Sequence, residues 1–82
     1  MKFSVEKLNS FLTRNFYINP RLLAPQKRFY ADLGLNSLEF LELVAHLENT
    51  YNIVLPDNEL EKVQTIKELA EVMEMNLVGV RA

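Results

Sequence analysis

Cysteine is absent from the 82-residue chain, which excludes a disulfide framework, a protein thiol and a cysteine-held metal. Long hydrophobic runs are missing as well. No apolar stretch approaches the roughly 20 residues that a transmembrane helix needs, and Met1-Lys2-Phe3 leads into no signal-peptide core, so a cytoplasmic protein with no membrane span is expected. Nor are there repeats or low-complexity tracts. One domain is expected over residues 1–82, with its core at about 3–75 and a C-terminal tail at 76–82. A chain this short buries only roughly 60% of its unfolded surface. That leaves little room to enclose an active site, and no catalytic constellation is visible, so the chain is not expected to be an enzyme.

Net charge is small, only −2, but it is unevenly spread. Residues 1–31 carry Lys2, Lys7, Arg14, Arg21, Lys27 and Arg28 against Glu6 alone, a balance of +5. Residues 32–82 carry ten acids against Lys62, Lys67 and Arg81, a balance of −7. An acidic second half repels nucleic acid and attracts basic protein surfaces. Solvated helix faces give the same pattern without any partner.

Periodicity predicts helices and no strand. Ser4 is placed to cap a first helix in which Val5, Leu8, Phe11, Leu12 and Phe16 recur at helical spacing, with Lys7 and Arg14 off the stripe. It ends near Asn15. Pro20 and Pro25 then interrupt the pattern, yet Ile18, Leu22, Leu23, Phe29, Tyr30 and Leu33 are too apolar for a free linker. A long loop packed onto the core is expected.

In the stretch DLGLNSLEFLELV, Asn36 is a good N-cap and Glu39 stands where a capping box needs it, so Ser37 takes the first helical position. Phe40, Leu41, Val44, Leu47 and Tyr51 form the expected buried stripe, with Glu39, Glu42, His46 and Asn49 on the other side. Pro56-Asp57 opens a short helical turn with Leu60 and Val63 inward and Glu59 and Glu61 outward. Thr65 and Glu68 form a capping box for a last helix with Ile66, Leu69, Ala70 and Met73 on one face. After Met75 the chain reads as a fraying end in which Leu77 still has packing value. The fold class is all-α, a small antiparallel bundle of three main helices and one short one, with a long loop between the first two.

His46, the sole histidine, falls nine positions after Ser37; at about 100° and 1.5 Å per residue it lies on the opposite side of the helix and roughly 13 Å along it. A Ser-His dyad is not expected on that geometry, and His46 reads as a surface residue or partner contact rather than a metal ligand. Asp57, Glu59 and Glu61 lack the glycine and the spacing of a calcium loop. No specific metal site is expected.

Asp32-Leu33-Gly34, Ser37-Leu38, Glu42-Leu43-Val44, Leu47-Glu48 and Ile53 with Leu55-Pro56-Asp57 form an ordered set that resembles the bacterial acyl carrier protein family. The likeness is close over about residues 29–73 and extends to the first helix in size and position. It implies that Ser37 carries a 4'-phosphopantetheine arm, taken from coenzyme A by a phosphopantetheinyl transferase, whose thiol holds an acyl chain as a thioester. A carrier without cysteine is then unsurprising, because the sulfur arrives with the prosthetic group. A phosphodiester at the start of a helix also meets unsatisfied amides and the positive end of the dipole.

The resemblance further implies a monomeric shuttle in fatty-acid or related lipid or polyketide synthesis. Acyl-transferring and acyl-modifying synthase enzymes would dock basic surfaces on Asn36, Leu38, Glu39, Glu42, Glu48, Asp57 and Glu61, and the core would open to shelter the acyl chain. The family's usual aspartate before the serine is replaced by Asn36, which keeps a capping oxygen but drops the charge, and Asn49 and Asn58 are uncharged where the family's acidic face continues. Alternatives are an aminoacyl or peptidyl carrier, and an unmodified acidic helical interaction module in which Ser37 merely begins a helix.

Overall fold

The computed structural model describes residues 3 to 80, and the side chains of residues 3 to 77. Among these residues four α-helices follow one another: α1 (Val5–Phe16), α2 (Ser37–Tyr51), α3 (Asp57–Leu60) and α4 (Ile66–Val80). Among the described residues there is no strand, only an isolated bridge between Arg28 and Thr65. The expected small helical bundle is therefore present, with α3 as the short member. Among the described residues no helix is long and apolar enough to cross a membrane.

Ser4 caps α1 by accepting a hydrogen bond from the Lys7 amide at 3.2 Å, and Leu8, Phe11 and Leu12 turn inward. In α2 the buried residues are Phe40, Leu43, Val44 and Leu47. This corrects the expected stripe: Leu41 is 59% exposed and Leu43 takes its place. At 100° per residue Leu41 stands a quarter-turn away from Phe40, while Leu43, Val44 and Leu47 stay close to its side. Ile66, Leu69, Ala70 and Met73 of α4 are buried as expected. The helix does not fray after Met75, because it continues through Val80 and Leu77 extends the buried stripe at i+4.

The long connection is a packed loop with a single 3₁₀ turn at Pro20–Leu22. Phe29 is wholly buried, and Ile18, Leu23, Leu33 and Leu35 pack against the core. Leu22 and Tyr30 instead remain 45% and 46% exposed. Backbone pairing holds the loop in place. Phe29 N–H donates to the Gln64 carbonyl, and Ile66 and Lys67 N–H donate to the carbonyls of Lys27 and Pro25, at 2.9 to 3.0 Å. Two amides at the start of α4, which lack partners within their own helix, are thus satisfied by the loop.

Phe3, ahead of α1, is held by two contacts. Phe3 is buried, its ring edge-on to Tyr51 with centroids 5.3 Å apart, and its amide donates to the Glu74 carboxylate.

Candidate functional site

The approach to Ser37 is set by backbone geometry. Gly34 adopts φ +74°, in the left-handed region, and a Cβ there would meet no heavy atom within 4 Å; conformation, not space, calls for glycine. Leu35 N–H then donates to the Phe29 carbonyl at 3.0 Å. Asn36 is extended, and its side-chain oxygen accepts from Glu39 N–H at 2.8 Å while its own N–H donates to the Glu39 carboxylate at 2.9 Å. The capping box is complete, and Ser37 is the exposed first residue of α2. One turn on, Phe40 is buried with its ring centroid 5.1 Å from that of Phe29 and 5.8 Å from that of Tyr30. The serine therefore sits on a helix end fixed by hydrogen bonds outside and aromatic packing inside.

Among the described residues, the amides of Ser37 and Leu38 donate to no protein group, whereas those of Glu39 and Phe40 are taken by Asn36. Two free N–H groups at the positive end of a helix dipole suit an anion bonded to the neighbouring hydroxyl. Glu39 is the only acid in the first turn of α2, and its carboxylate is drawn toward the Asn36 amide. Asn36 itself adds no negative charge. The residues present therefore fit a phosphodiester on Ser37.

Around the serine, Leu38 and Leu41 are 66% and 59% exposed. With exposed Ala45 they occupy positions i, i+3 and i+7 on one side of α2, a second apolar stripe facing solvent. The signal for it lay in the spacing of these three residues. Glu42 is exposed beside this stripe, and Asp57 and Glu61 are exposed at the two ends of α3.

Two other acids are partly engaged by the fold. Glu48 is half-buried and accepts from Leu55 N–H at 2.7 Å. Glu59, expected to face outward, is half-buried and accepts from the Asn76 side chain at 3.1 Å.

His46 has exposed surface, yet its ring packs edge-on to Phe11 and Phe16 of α1 at 5.3 and 5.8 Å. It is a packing residue as well as a surface one, and it faces α1, not Ser37. Among the described residues, no three histidine or acidic side chains are grouped to hold a metal ion.

The family described as phosphopantetheine attachment site matches residues 6–73. The chain is 38% identical over 72 residues to an acyl carrier protein of Wolinella succinogenes, covering 88% of this chain and 84% of that protein. It is 32% identical over 71 residues to an acyl carrier protein of Helicobacter hepaticus, covering 87% and 93%. An acyl carrier protein of Phytoplasma australiense is 30% identical over 73 residues, covering 89% and 96%. The prosthetic group of this family is covalently bound 4'-phosphopantetheine. A family match over most of the chain and relatives at 30% identity or more, each largely covered, agree, and the chain belongs to the acyl carrier protein family.

Proposed function

We propose that this chain carries acyl intermediates as thioesters on a 4'-phosphopantetheine arm attached to Ser37, in cytoplasmic fatty-acid or related lipid or polyketide synthesis. The observation that carries this reading is the exposed Ser37 at the start of a fully capped helix whose first two amides are unpaired. When bound, the group supplies a thiol on which an acyl chain is held. In the attachment, Ser37 Oγ forms a new bond to phosphorus and displaces the nucleotide part of coenzyme A, and the hydroxyl proton passes to a base of the transferase.

The chain's own residues hold and present the arm. The Ser37 and Leu38 amides would hold the phosphodiester charge, since the capping box between Asn36 and Glu39 leaves them unpaired. Leu38 and Leu41 offer an apolar contact to a partner, with Glu42, Asp57 and Glu61 as acids for a basic rim. The chain contributes no catalytic group; the transferase and synthase enzymes do the chemistry.

Intact mass after incubation with coenzyme A and a broadly active phosphopantetheinyl transferase tests the assignment. One added phosphopantetheine is expected, with none on a folded Ser37→Ala variant. Equal modification of the alanine variant would move the site elsewhere, and no modification of the wild type by several transferases would favour the unmodified interaction module.

A further inference from the structure

We infer that one side of α1 and the 3₁₀ turn after it form a docking site for an anionic lipid surface. Its cations and exposed apolar side chains lie on elements other than α2 and α3, and it does not depend on the modification of Ser37.

Three observations meet there. Lys7 and Arg14, two turns apart on α1, border one shallow groove beside Tyr51, and Arg14 with Pro20 borders the next. The turn that carries Arg21 is thus folded against the same stretch of helix. Among the described residues none of these three cations has a carboxylate partner, the ion pair present being Arg28–Asp32. Glu6 is the only acid before Asp32.

The second observation is Tyr17. It caps α1 in the left-handed conformation, φ 57°, with 88% of its surface exposed. At the same position of α2 the chain uses Asn52, a residue that tolerates this conformation far better than a bulky one. Neither packing nor backbone geometry calls for tyrosine at 17. Third, Leu22 leaves the packed loop and stands 45% exposed one residue from Arg21.

An aromatic and an aliphatic side chain flanked by arginine and lysine match the headgroup layer of a bilayer, where apolar tips enter and cations meet phosphates. Two protruding apolar side chains are few for a stable protein interface, which buries about 800 Å² per partner around anchors seated in pockets. A deformable anionic surface asks for no such complementarity. The acids of α2 and α3 would be disfavoured near that surface, so the same field orients the carrier with its basic end inward. Binding should be weak and reversible, and it leaves Ser37's helix free for enzymes.

Flotation of the full unmodified chain with vesicles of equal parts phosphatidylglycerol and phosphatidylcholine, against phosphatidylcholine alone, tests the inference. Binding is expected to the anionic vesicles only, and to fade at high ionic strength. Each cation at such a surface contributes roughly fivefold, so Arg14→Glu with Arg21→Glu should weaken binding at least ~25-fold. Tyr17→Asn relieves the backbone and keeps the fold, yet should lose binding several-fold. Because the chain has no tryptophan, Tyr17→Trp supplies a single reporter whose emission should shift to the blue with anionic vesicles and not with neutral ones.

Equal binding to both vesicles, indifference to the arginine reversals, or an unshifted reporter overturns the inference. So does self-association, seen by sedimentation without vesicles and abolished by the same reversals, which would make a second copy the occupant.

Discussion

Asn36 and Glu39 each bind the other's backbone: the asparagine oxygen takes the Glu39 amide at 2.8 Å, and the glutamate takes the Asn36 amide at 2.9 Å. The pair closes the helix end on either side of Ser37. Loss of such a cap costs about 1 kcal/mol, so Asn36→Ala should lower the melting temperature by about 4–8 °C for a domain of this size. Asn36→Asp keeps the acceptor and places a negative charge at the positive end of α2, worth about 0.3–1 kcal/mol. It should therefore melt no lower than the wild type, while the added charge beside Ser37 changes the rate of modification. Thermal melts and mass-resolved transferase time courses read the two effects separately; equal rates across several transferases would show that the missing charge is neutral to recognition.

Leu41 and Leu43 differ in burial more than in chemistry, at 59% and 1% exposure. Leu43→Ala should cost about 2–5 kcal/mol through lost burial and a cavity. Leu41→Ala should stay within about 0.5 kcal/mol of wild type and instead slow partner enzymes. Urea denaturation of the two variants checks the contrast, and comparable losses would mean that Leu41 is part of the core.

This pair also marks where sequence reasoning reached and where it stopped. Ser4, Asn36 and Thr65 were legible as helix starts because capping acts between residues three apart, and the stripes of α1 and α4 were legible because one side of each is plainly apolar. α2 is apolar on two sides, so hydrophobicity alone could not choose between Leu41 and Leu43. Placement of Ser37 at a helix start came from local spacing in the same way. The half-buried positions of Glu48 and Glu59 did not, because their partners Leu55 and Asn76 lie 7 and 17 residues away. Tyr30 and Leu22 looked like core for want of any local cue to the path of the loop. The last turns of α4 were hidden because the alternation with charged residues ends at Glu74, although Leu77 keeps the spacing.

Acid should weaken the fold through the start of α4. Glu68 accepts from the amides of Gln64 and Thr65 at 2.8 and 3.0 Å, and these bonds hold its carboxyl below the ordinary value of 4.5. Asp32 is likewise lowered from 3.8, by the Arg28 backbone amide first and its guanidinium next. A carboxyl with a lower pKa folded than unfolded binds fewer protons in the native state, so stability rises with pH through this window. The contribution is fully present above the unfolded values and is lost as pH falls below about 4.5 through the folded ones. Glu68→Gln should therefore be less stable than wild type at neutral pH, and the gap should narrow as pH drops toward 3 (about the lower end of the carboxylate range). Urea midpoints against pH decide it. A gap that stays constant would mean that the charge on Glu68 is not what holds the turn.

Recognition by partners should run through Glu42. It is exposed on α2 beside Leu38 and Leu41, one helical turn and a half from Ser37. Unlike Glu39 and Glu48, it makes no hydrogen bond through its carboxylate among the described residues. Its charge is therefore free for a basic enzyme surface. Exposed pairs are individually worth about 0–1 kcal/mol, and salt screens them over roughly 8 Å at physiological strength. Docking through such contacts should be fast, weak and salt-sensitive, which suits a carrier that must leave each enzyme after delivery. Glu42→Lys should leave helicity unchanged and slow modification or acyl transfer by up to about 30-fold at low salt, since it removes one attraction and adds one repulsion of that size. The loss should fall mainly on the association rate, as expected for charges at an interface rim. Raising salt should slow the wild type and shrink its advantage. The comparison needs one cognate enzyme, both proteins and two ionic strengths. A folded Glu42→Lys carrier that matches the wild type at low salt would remove the acidic side of α2 from recognition, and docking would then rest on Leu38 and Leu41, whose contacts salt does not weaken.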